Sequence, residues 1–471
     1  EVHNILGRYP EALAAHEKHL AIARTIEDRQ GEGQALRNKG EVLYNQGKYL
    51  EALPFHQQHL KITREIKDKL GESQALMHLG RIYLATGEPD KALETHQQSL
   101  DIAIDIKDRL GEGQILSYMG DVHDFQGETE TALEHYRQAV DIATVIGDRF
   151  GEADALKKIA NIQRRQGQYA EALATYENTR TIALEIQDRK GVGDSLTGVG
   201  HIYVDQYQYV EAERNYVLAL DILAELGDRA GEGDMRLTIG QLYESQGQPL
   251  AALDYYQQAL DIHTAIENRS GEAVSLNQIG DTYLDRSQYP EALAYYDQSL
   301  AVSREVGARA GEGTTLNNIG LVYENQGNYS EALRYYDQSL AISREVGDRA
   351  GEGTTLSNIG VVYDNQGNYS EALSYYEESL AILREVGNLA GKGFTLNNIG
   401  CIYDNQGNYG EALSYYEESL AILREVGDRA GEGTTLNNIG AVYQNQGNNG
   451  EALSYYEESL ANLREVEARA G

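Results

Sequence analysis

One interval recurs along the whole chain, because glycine stands at every fortieth position from Gly31 to Gly471. Alanine keeps the same interval from Ala12 to Ala452, again without an insertion. A fixed period of this length is typical of arrays in which each unit packs only on its neighbours. We therefore expect eleven complete units in residues 31–470, preceded in residues 1–30 by a partial unit that is mainly its second helix. This excludes a chain of separate globular domains.

Units are numbered here from unit 1 (residues 31–70) to unit 11 (residues 431–470). In unit 8 a first stripe has the i, i+3, i+4, i+7 spacing of a helix face, at Leu316, Ile319, Gly320 and Tyr323. Gly327 follows as a helix stop, and a second stripe begins at Ala332. Asp348 and its counterparts can cap the next first helix. Each unit is thus predicted to be a helical hairpin, with about 23 helices in one continuous solenoid.

The residues that define a hairpin also carry a family resemblance. In unit 8 they are Ile319-Gly320, Tyr323, Gly327, Tyr329, Ala332, Tyr336 and Ser339-Leu340. They resemble the tetratricopeptide repeat (TPR), whose ordinary unit has about 34 residues and often a closing proline, where this chain has Arg344. The 40-residue form resembles Pins/LGN spindle adaptors, kinesin light chain and bacterial arrays fused to CHAT-type peptidases or NTPases. The resemblance implies an all-α, right-handed α-solenoid whose concave groove, lined mainly by first helices, binds peptides.

Charge and composition narrow the possible partners. Forty basic residues against 74 acidic ones give a net charge of −34. A chain this acidic repels nucleic-acid phosphates and anionic lipid headgroups, so we expect neither nucleic acid nor membrane as a partner. Cys401 is the only cysteine, which excludes an intramolecular disulfide and favours the cytoplasm. We find no catalytic motif and expect no enzyme activity and no cofactor.

Asparagines repeat at three unit positions on the predicted first helices. The resemblance places these positions in the peptide groove, where a carboxamide can both donate to and accept from an extended backbone. Small apolar residues stand between them, at Leu321, Val361, Cys401 and Ala441. A solvated polar surface copied by duplication is the alternative. The predicted groove asparagines are Asn38, Asn317, Asn318, Asn325, Asn358, Asn365, Asn397, Asn398, Asn405, Asn437, Asn438 and Asn445.

Basic residues gather in the first helices of the N-terminal units. Such a patch can hold an acidic peptide through charge-assisted hydrogen bonds. The alternative is that the cations only offset neighbouring Asp and Glu. The patch consists of Arg37, Arg81, Lys157, Lys158, Arg164 and Arg165, with Lys39 beside it.

Histidines recur on the second helices of the first units. His16, His56 and His96 occupy the position that Tyr136 and its later counterparts fill. His56 and His59 stand one turn apart, a spacing at which two imidazoles can share a metal ion. A packed aromatic substitute is the simpler interpretation, so we predict no metal site.

We therefore expect a non-catalytic scaffold that binds peptide segments of other proteins. One alternative is a sensory or regulatory arm whose effector, a CHAT-type peptidase or an NTPase, lies outside this sequence. Another is a rod that assembles head to tail, because the apolar residues of the last second helix, such as Leu453 and Leu460, have no following unit to cover them. On the same ground we expect the native chain to continue past Gly471.

Overall fold

The computed structural model describes residues 9–470. Residues 1–8, which include the start of the partial unit, and Gly471 lie outside the described range. Within that range the structure has 23 helices and no strand, so the all-α prediction is confirmed. Even-numbered helices are the first, or A, helices of the units, and odd-numbered helices are the second, or B, helices.

The helices in chain order are α1 (Tyr9–Thr25), α2 (Arg29–Asn45), α3 (Tyr49–Glu65), α4 (Lys69–Ala85), α5 (Pro89–Asp105), α6 (Arg109–Phe125), α7 (Thr129–Ile146), α8 (Arg149–Arg165), α9 (Tyr169–Glu185), α10 (Arg189–Asp205), α11 (Tyr209–Leu226), α12 (Arg229–Ser245), α13 (Pro249–Ala265), α14 (Arg269–Asp285), α15 (Tyr289–Val306), α16 (Arg309–Asn325), α17 (Tyr329–Val346), α18 (Arg349–Asn365), α19 (Tyr369–Glu385), α20 (Leu389–Asn405), α21 (Tyr409–Val426), α22 (Arg429–Asn445) and α23 (Asn449–Ala470).

The helix ends follow from local chemistry. The Asp348 carboxylate accepts a hydrogen bond from the Gly351 N–H at 2.9 Å and so caps α18. Gly347 ends α17 in the left-handed region, with φ +72°, where a residue without a Cβ has no steric penalty. Gly327, with the same φ, ends the turn between α16 and α17. The predicted caps and stops are therefore confirmed.

The hairpin depends on one close approach between its helices. The Tyr336 ring of α17 is fully buried against Gly320 of α16, where an added Cβ would lie 2.6 Å from the ring. Ala332 is equally buried. Small residues at these two positions are therefore required, because a larger side chain would force the helices apart at a cost of about 1–3 kcal/mol.

Neighbouring units are joined by ion pairs as well as by apolar packing. Glu352 near the start of α18 is buried and accepts from Arg344 of the preceding unit at 2.7 Å and from Arg349 one turn away. The second guanidinium nitrogen of Arg349 lies 2.7 Å from Glu385, at the end of the B helix of the unit that contains Glu352. Pairing on both sides offsets the cost of burying the Glu352 carboxylate.

The array curves toward its A helices. A helices of successive units, such as α8 with α10 and α12 with α14, approach one another closely, whereas successive B helices approach less. The A helices therefore lie on the inner side of the curve. We call the surface that they form the A face. It is the surface on which the predicted groove residues stand.

Successive turns of the superhelix touch each other. The Arg269 N–H donates to the Gln46 carbonyl at 2.9 Å, and Lys48 pairs with Glu267 at 3.0 Å across 219 residues. Further along, the Tyr169 hydroxyl donates to the Val426 carbonyl at 3.4 Å, across 257 residues. One superhelical turn therefore takes about six 40-residue units. The chain forms a compact coil in which A–B turns of the early units contact B–A turns of the late ones.

Candidate functional site: the A face

Three residue rows run along the A face, at unit positions 7, 8 and 11. Rows 7 and 8 contain the predicted asparagine pairs, such as Asn317 and Asn318. Row 11 lies one helical turn further on and contains both the predicted small apolar residues and Arg81 of the predicted basic patch. Row 11 consists of Glu41, Arg81, Asp121, Asn161, His201, Gln241, Asp281, Leu321, Val361, Cys401 and Ala441.

The asparagines of rows 7 and 8 form a ladder between units. Asn358 Nδ2 donates to Asn317 Oδ1 of the preceding unit at 3.0 Å, and Asn438 donates to Asn397 in the same way. At the start of the ladder Asn318 donates to Asn277 at 2.9 Å. These bonds fix the plane of each carboxamide. The ladder was not predicted, because each partner lies in the neighbouring unit.

The ladder leaves hydrogen-bonding capacity at the surface. No residue in the described range donates to the Oδ1 atom of Asn318, Asn358 or Asn438, and all three side chains are half-buried. A second row of carboxamides at unit position 15 is exposed, at Asn325, Asn365, Asn405 and Asn445. Of the remaining predicted residues, Asn398 is half-buried and Asn437 is exposed. The C-terminal A face thus presents two parallel lines of amide groups.

Apolar groups separate those two lines. Leu321, Val361 and Ala441 are half-buried in row 11, and so is Cys401. Asn438 Nδ2 lies 3.7 Å from Cys401 Sγ, and burial raises the pKa of the thiol. A thiol that stays protonated is a poor nucleophile. Cys401 is therefore suited to contact a ligand and not to attack one.

The predicted basic patch is internally paired. Lys158 contacts Asp121 at 2.7 Å and Lys157 contacts Asp194 at 2.8 Å. The other carboxylate pairs are Arg81 with Glu41, Arg164 with Asp205 and Arg165 with Asp124. Arg37 differs, because it donates to the amide oxygens of Gln74 and Asn38. Each of these cations therefore has a partner within the chain and needs no acidic ligand. This arrangement agrees with the alternative interpretation, in which the cations offset neighbouring residues.

The histidines of the B helices occupy the tyrosine position, as expected. The His96 ring lies over Gly80 and the His56 ring lies over Gly40, as the Tyr136 ring lies over Gly120. Among the described residues, His56 is grouped with Glu41 and His78 as possible ligands, and His59 is not part of that group. His56 also stacks on His78 of the next unit, with ring centroids 4.9 Å apart.

A cavity of about 830 Å³ lies between the superhelical turns. Gly127, Arg164 and Asp205 line it from the early units, and Val386 and Asp428 line it from the late ones. Sequence reasoning missed this cavity, because its walls come from units that are far apart in the chain and share no motif.

A comparison of the sequence with protein families then matches its repeats. The tetratricopeptide repeat pattern matches residues 1–65, 31–105, 71–144, 111–185, 191–265, 231–305, 271–345, 311–385 and 392–465. The chain belongs to the tetratricopeptide repeat family. The narrower resemblances to Pins/LGN, kinesin light chain and CHAT-associated arrays are not part of that match. A comparison with curated proteins finds no match.

Solved structures share the fold of this TPR chain. A Rap protein complexed with competence and sporulation factor is 16% identical, with a TM-score of 0.51, covering 86% of this chain and 99% of the other. A Rap conjugation gene regulator of plasmid pLS20, in complex with the Phr* peptide, is 15% identical with a TM-score of 0.50, covering 67% and 96%. Aspartyl phosphate phosphatase F from Bacillus subtilis is 16% identical with a TM-score of 0.49, covering 74% and 93%. At this identity the likeness concerns the fold alone.

Within residues 9–470 no helix combines the length and the apolar character that crossing a membrane requires.

Proposed function

We propose that this TPR chain is a non-catalytic protein-interaction scaffold that binds an extended peptide segment along the A face of units 8–11. The Asn–Asn ladder carries the proposal. Because Asn358 and Asn438 are already oriented by Asn317 and Asn397, a ligand would not have to order them first. Pre-ordered side chains lose less entropy on binding.

The chemistry of the surface indicates which ligand it suits. Amide groups recur at an interval set by the unit, and apolar side chains such as Leu321 and Val361 lie between them. Backbone carbonyl and N–H groups recur along any extended peptide, so this surface suits the peptide backbone with small apolar side chains interspersed. Two structural neighbours are complexes, one with competence and sporulation factor and one with the Phr* peptide. That parallel supports a peptide ligand here.

The first step of the test is to find a peptide that binds the chain. The full chain would be used to select binders from a displayed library of unstructured peptides, and affinity would be measured by fluorescence anisotropy. Changing Asn318, Asn358, Asn398 and Asn438 together to Ala should weaken binding at least about tenfold, since each lost bond contributes about 0.5–1.5 kcal/mol. Unchanged affinity would contradict the proposal.

Two controls separate binding from folding. Ser374, Ser414 and Ser454 are exposed on the B helices of the same array, and changing them to Ala should leave affinity unchanged. Changing the four asparagines to Thr, which unit 6 already has at Thr238, preserves side-chain bulk in row 8. That variant should fold and still lose affinity.

Head-to-tail self-association is a second candidate, favoured by the last helix. Residues 451–460 repeat residues 411–420 letter for letter. Leu420 is 6% exposed, but Leu460 at the same position is 47% exposed. A second copy of this chain would cover the apolar surface of α23 as unit 11 covers α21. Such a contact propagates and does not close.

Sedimentation velocity tests this second candidate. We expect the average mass to rise with protein concentration and with salt, because salt screens the repulsion between chains of net charge −34. Leu453→Glu with Leu460→Glu should abolish the rise. A monomer at high salt and high concentration would contradict self-association and leave the peptide proposal untouched.

A further inference from the structure

The tyrosine position of the B helices has a regular partner in row 11. The Tyr136 hydroxyl donates to Asp121 at 2.9 Å, and the Tyr296 hydroxyl donates to Asp281 at 2.6 Å. In unit 1 the same pair is His56 and Glu41. An imidazole is shorter than a phenol and has no hydroxyl, and the His56 ring makes no hydrogen bond to the Glu41 carboxylate.

His56 is left without hydrogen-bond partners. Its side chain is fully buried, and neither ring nitrogen has a partner among the described residues. An unsatisfied buried polar atom is destabilising, so a partner that engages either ring nitrogen would be favourable.

Two further ligand atoms lie near the His56 ring. His78 Nδ1 lies 3.0 Å from Glu41 Oε2, and the ligand atoms of Glu41, His56 and His78 all lie within 4.8 Å of one another. Two atoms bound to one zinc ion at about 2.0–2.2 Å are separated by roughly 3.3–3.6 Å in tetrahedral geometry. Small side-chain movements would bring all three atoms onto one ion.

We propose that Glu41, His56 and His78 bind a divalent transition-metal ion of the zinc class. Two imidazoles and a carboxylate form a nitrogen and oxygen set that zinc accepts, with a fourth position open to water. The ligands come from α2, α3 and α4. The ion would therefore fasten the first hairpin to the A helix of unit 2.

Arg81 competes with the ion for Glu41. Its Nη1 lies 3.1 Å from Glu41 Oε1, and its guanidinium stacks on the Tyr44 ring at 4.3 Å. A metal ion would share the carboxylate with this cation and be repelled by it. Removing the charge should therefore strengthen metal binding, the opposite of what a purely structural role for Arg81 would give.

The experiment uses the full, tag-free chain after chelator treatment and dialysis. Cobalt(II) serves as the probe, because a site rich in nitrogen with low coordination gives strong visible absorption, unlike ions held loosely by surface carboxylates. We expect one saturable site per chain and a rise in melting temperature on adding zinc. Absence of such a site in the wild-type chain would overturn the proposal.

Matched variants locate the site. His56→Tyr restores the residue that later units have, so it should fold, but it should abolish the cobalt absorption. His96→Tyr makes the same change in unit 2, where row 11 is Arg81 and offers no carboxylate, and should leave binding intact. Arg81→Gln should tighten binding at least about fivefold. Equal cobalt binding by the wild type and by His56→Tyr would refute the assignment, whatever the melting temperatures.

Discussion

Units 1–7 and units 8–11 use the same hairpin but fill row 11 with different chemistry. In the first group the side chain of row 11 is ionisable or an amide, and it hydrogen-bonds to a neighbour, as Asp121 does with Lys158 and Tyr136. In the second group it is Leu321, Val361, Cys401 or Ala441. The Tyr376 hydroxyl beside Val361 is buried and has no partner among the described residues. Every row 11 side chain of units 1–7 thus has a hydrogen-bond partner, whereas the aliphatic side chains of row 11 in units 8, 9 and 11 offer none to the adjacent tyrosine.

The two groups also differ in what covers their A–B turns. An added Cβ at Gly47 would overlap Ser270, and one at Gly87 would overlap Val346, because the next superhelical turn lies against both. The equivalent Gly327, Gly367 and Gly407 have no neighbour within 4 Å. The A–B turns of units 1 and 2 are therefore covered by the next superhelical turn, whereas those of units 8–10 are open. The following predictions test this contrast.

The largest effect on stability is expected at Asp281, the row 11 residue of unit 7. Burial raises the pKa of Asp281 from 3.8 to about 7, against the opposing hydrogen bond from Tyr296. Between those pH values the folded chain keeps a proton that the unfolded chain releases, so stability falls as pH rises from about 4 to about 7. Asp281→Asn cannot lose a proton. It should be more stable than the wild type at pH 8 by on the order of 3 kcal/mol.

Urea unfolding from pH 5.5 to pH 8 measures this effect. The advantage of Asp281→Asn should grow with pH through that window. Gln278 donates to Asp281 Oδ2 at 3.0 Å. In the variant the Gln278 amide must flip, so that its oxygen faces the new NH2 group. Asp297→Asn, at an exposed position of the same unit, removes the same charge and should show no such growth. A constant difference between Asp281→Asn and the wild type would contradict the prediction.

The second effect concerns the covered and open turns. Gly47→Ala and Gly367→Ala both place an L side chain in the left-handed region, at φ +69° and +76°, which costs about 1–2 kcal/mol. Only Gly47→Ala also drives a Cβ into Ser270. We expect Gly47→Ala to lower the free energy of unfolding by about 1 kcal/mol more than Gly367→Ala does, and to expand the coil. Small-angle X-ray scattering should show a larger maximum dimension for Gly47→Ala alone, and equal dimensions would argue against a stabilising contact between turns.

A smaller effect distinguishes two buried tyrosines. Tyr296→Phe removes the donor to Asp281 and should lower the free energy of unfolding by about 1–2 kcal/mol at pH 8. Tyr376→Phe removes a hydroxyl without a partner and should be neutral or slightly stabilising. Urea unfolding of the two variants side by side gives the comparison. A loss of similar size at both positions would show that the Tyr376 hydroxyl has a partner after all.

The smallest effect converts a late unit toward an early one. Val361→Asn should give the Tyr376 hydroxyl the acceptor that Asn161 gives Tyr176, and stabilise the chain by about 0.5–1.5 kcal/mol. The gain should disappear in a Tyr376→Phe background, since the bond then has no donor. A gain that persists there would point to another cause.

The hairpin itself was predictable because its determinants are local. The spacing of Gly320, Ala332 and Tyr336 and the caps at Asp348 and Gly347 each act within a few residues or across one hairpin. Because the unit repeats at a fixed interval, the prediction made for one unit applies to all of them. The residues of the A face were predictable in the same way, by their place in the unit. Their mutual contacts were not.

The helices, their ends and the residues that the A face displays are therefore encoded within each unit. The contacts of Asn358 with Asn317, of His56 with Glu41 and His78, and of Arg269 with Gln46 became visible only in the folded array. The first two depend on the offset between adjacent units. The last depends on a small rotation per unit, added over about six units, which no local interaction specifies. A slightly different rotation would separate the turns while leaving every hairpin unchanged.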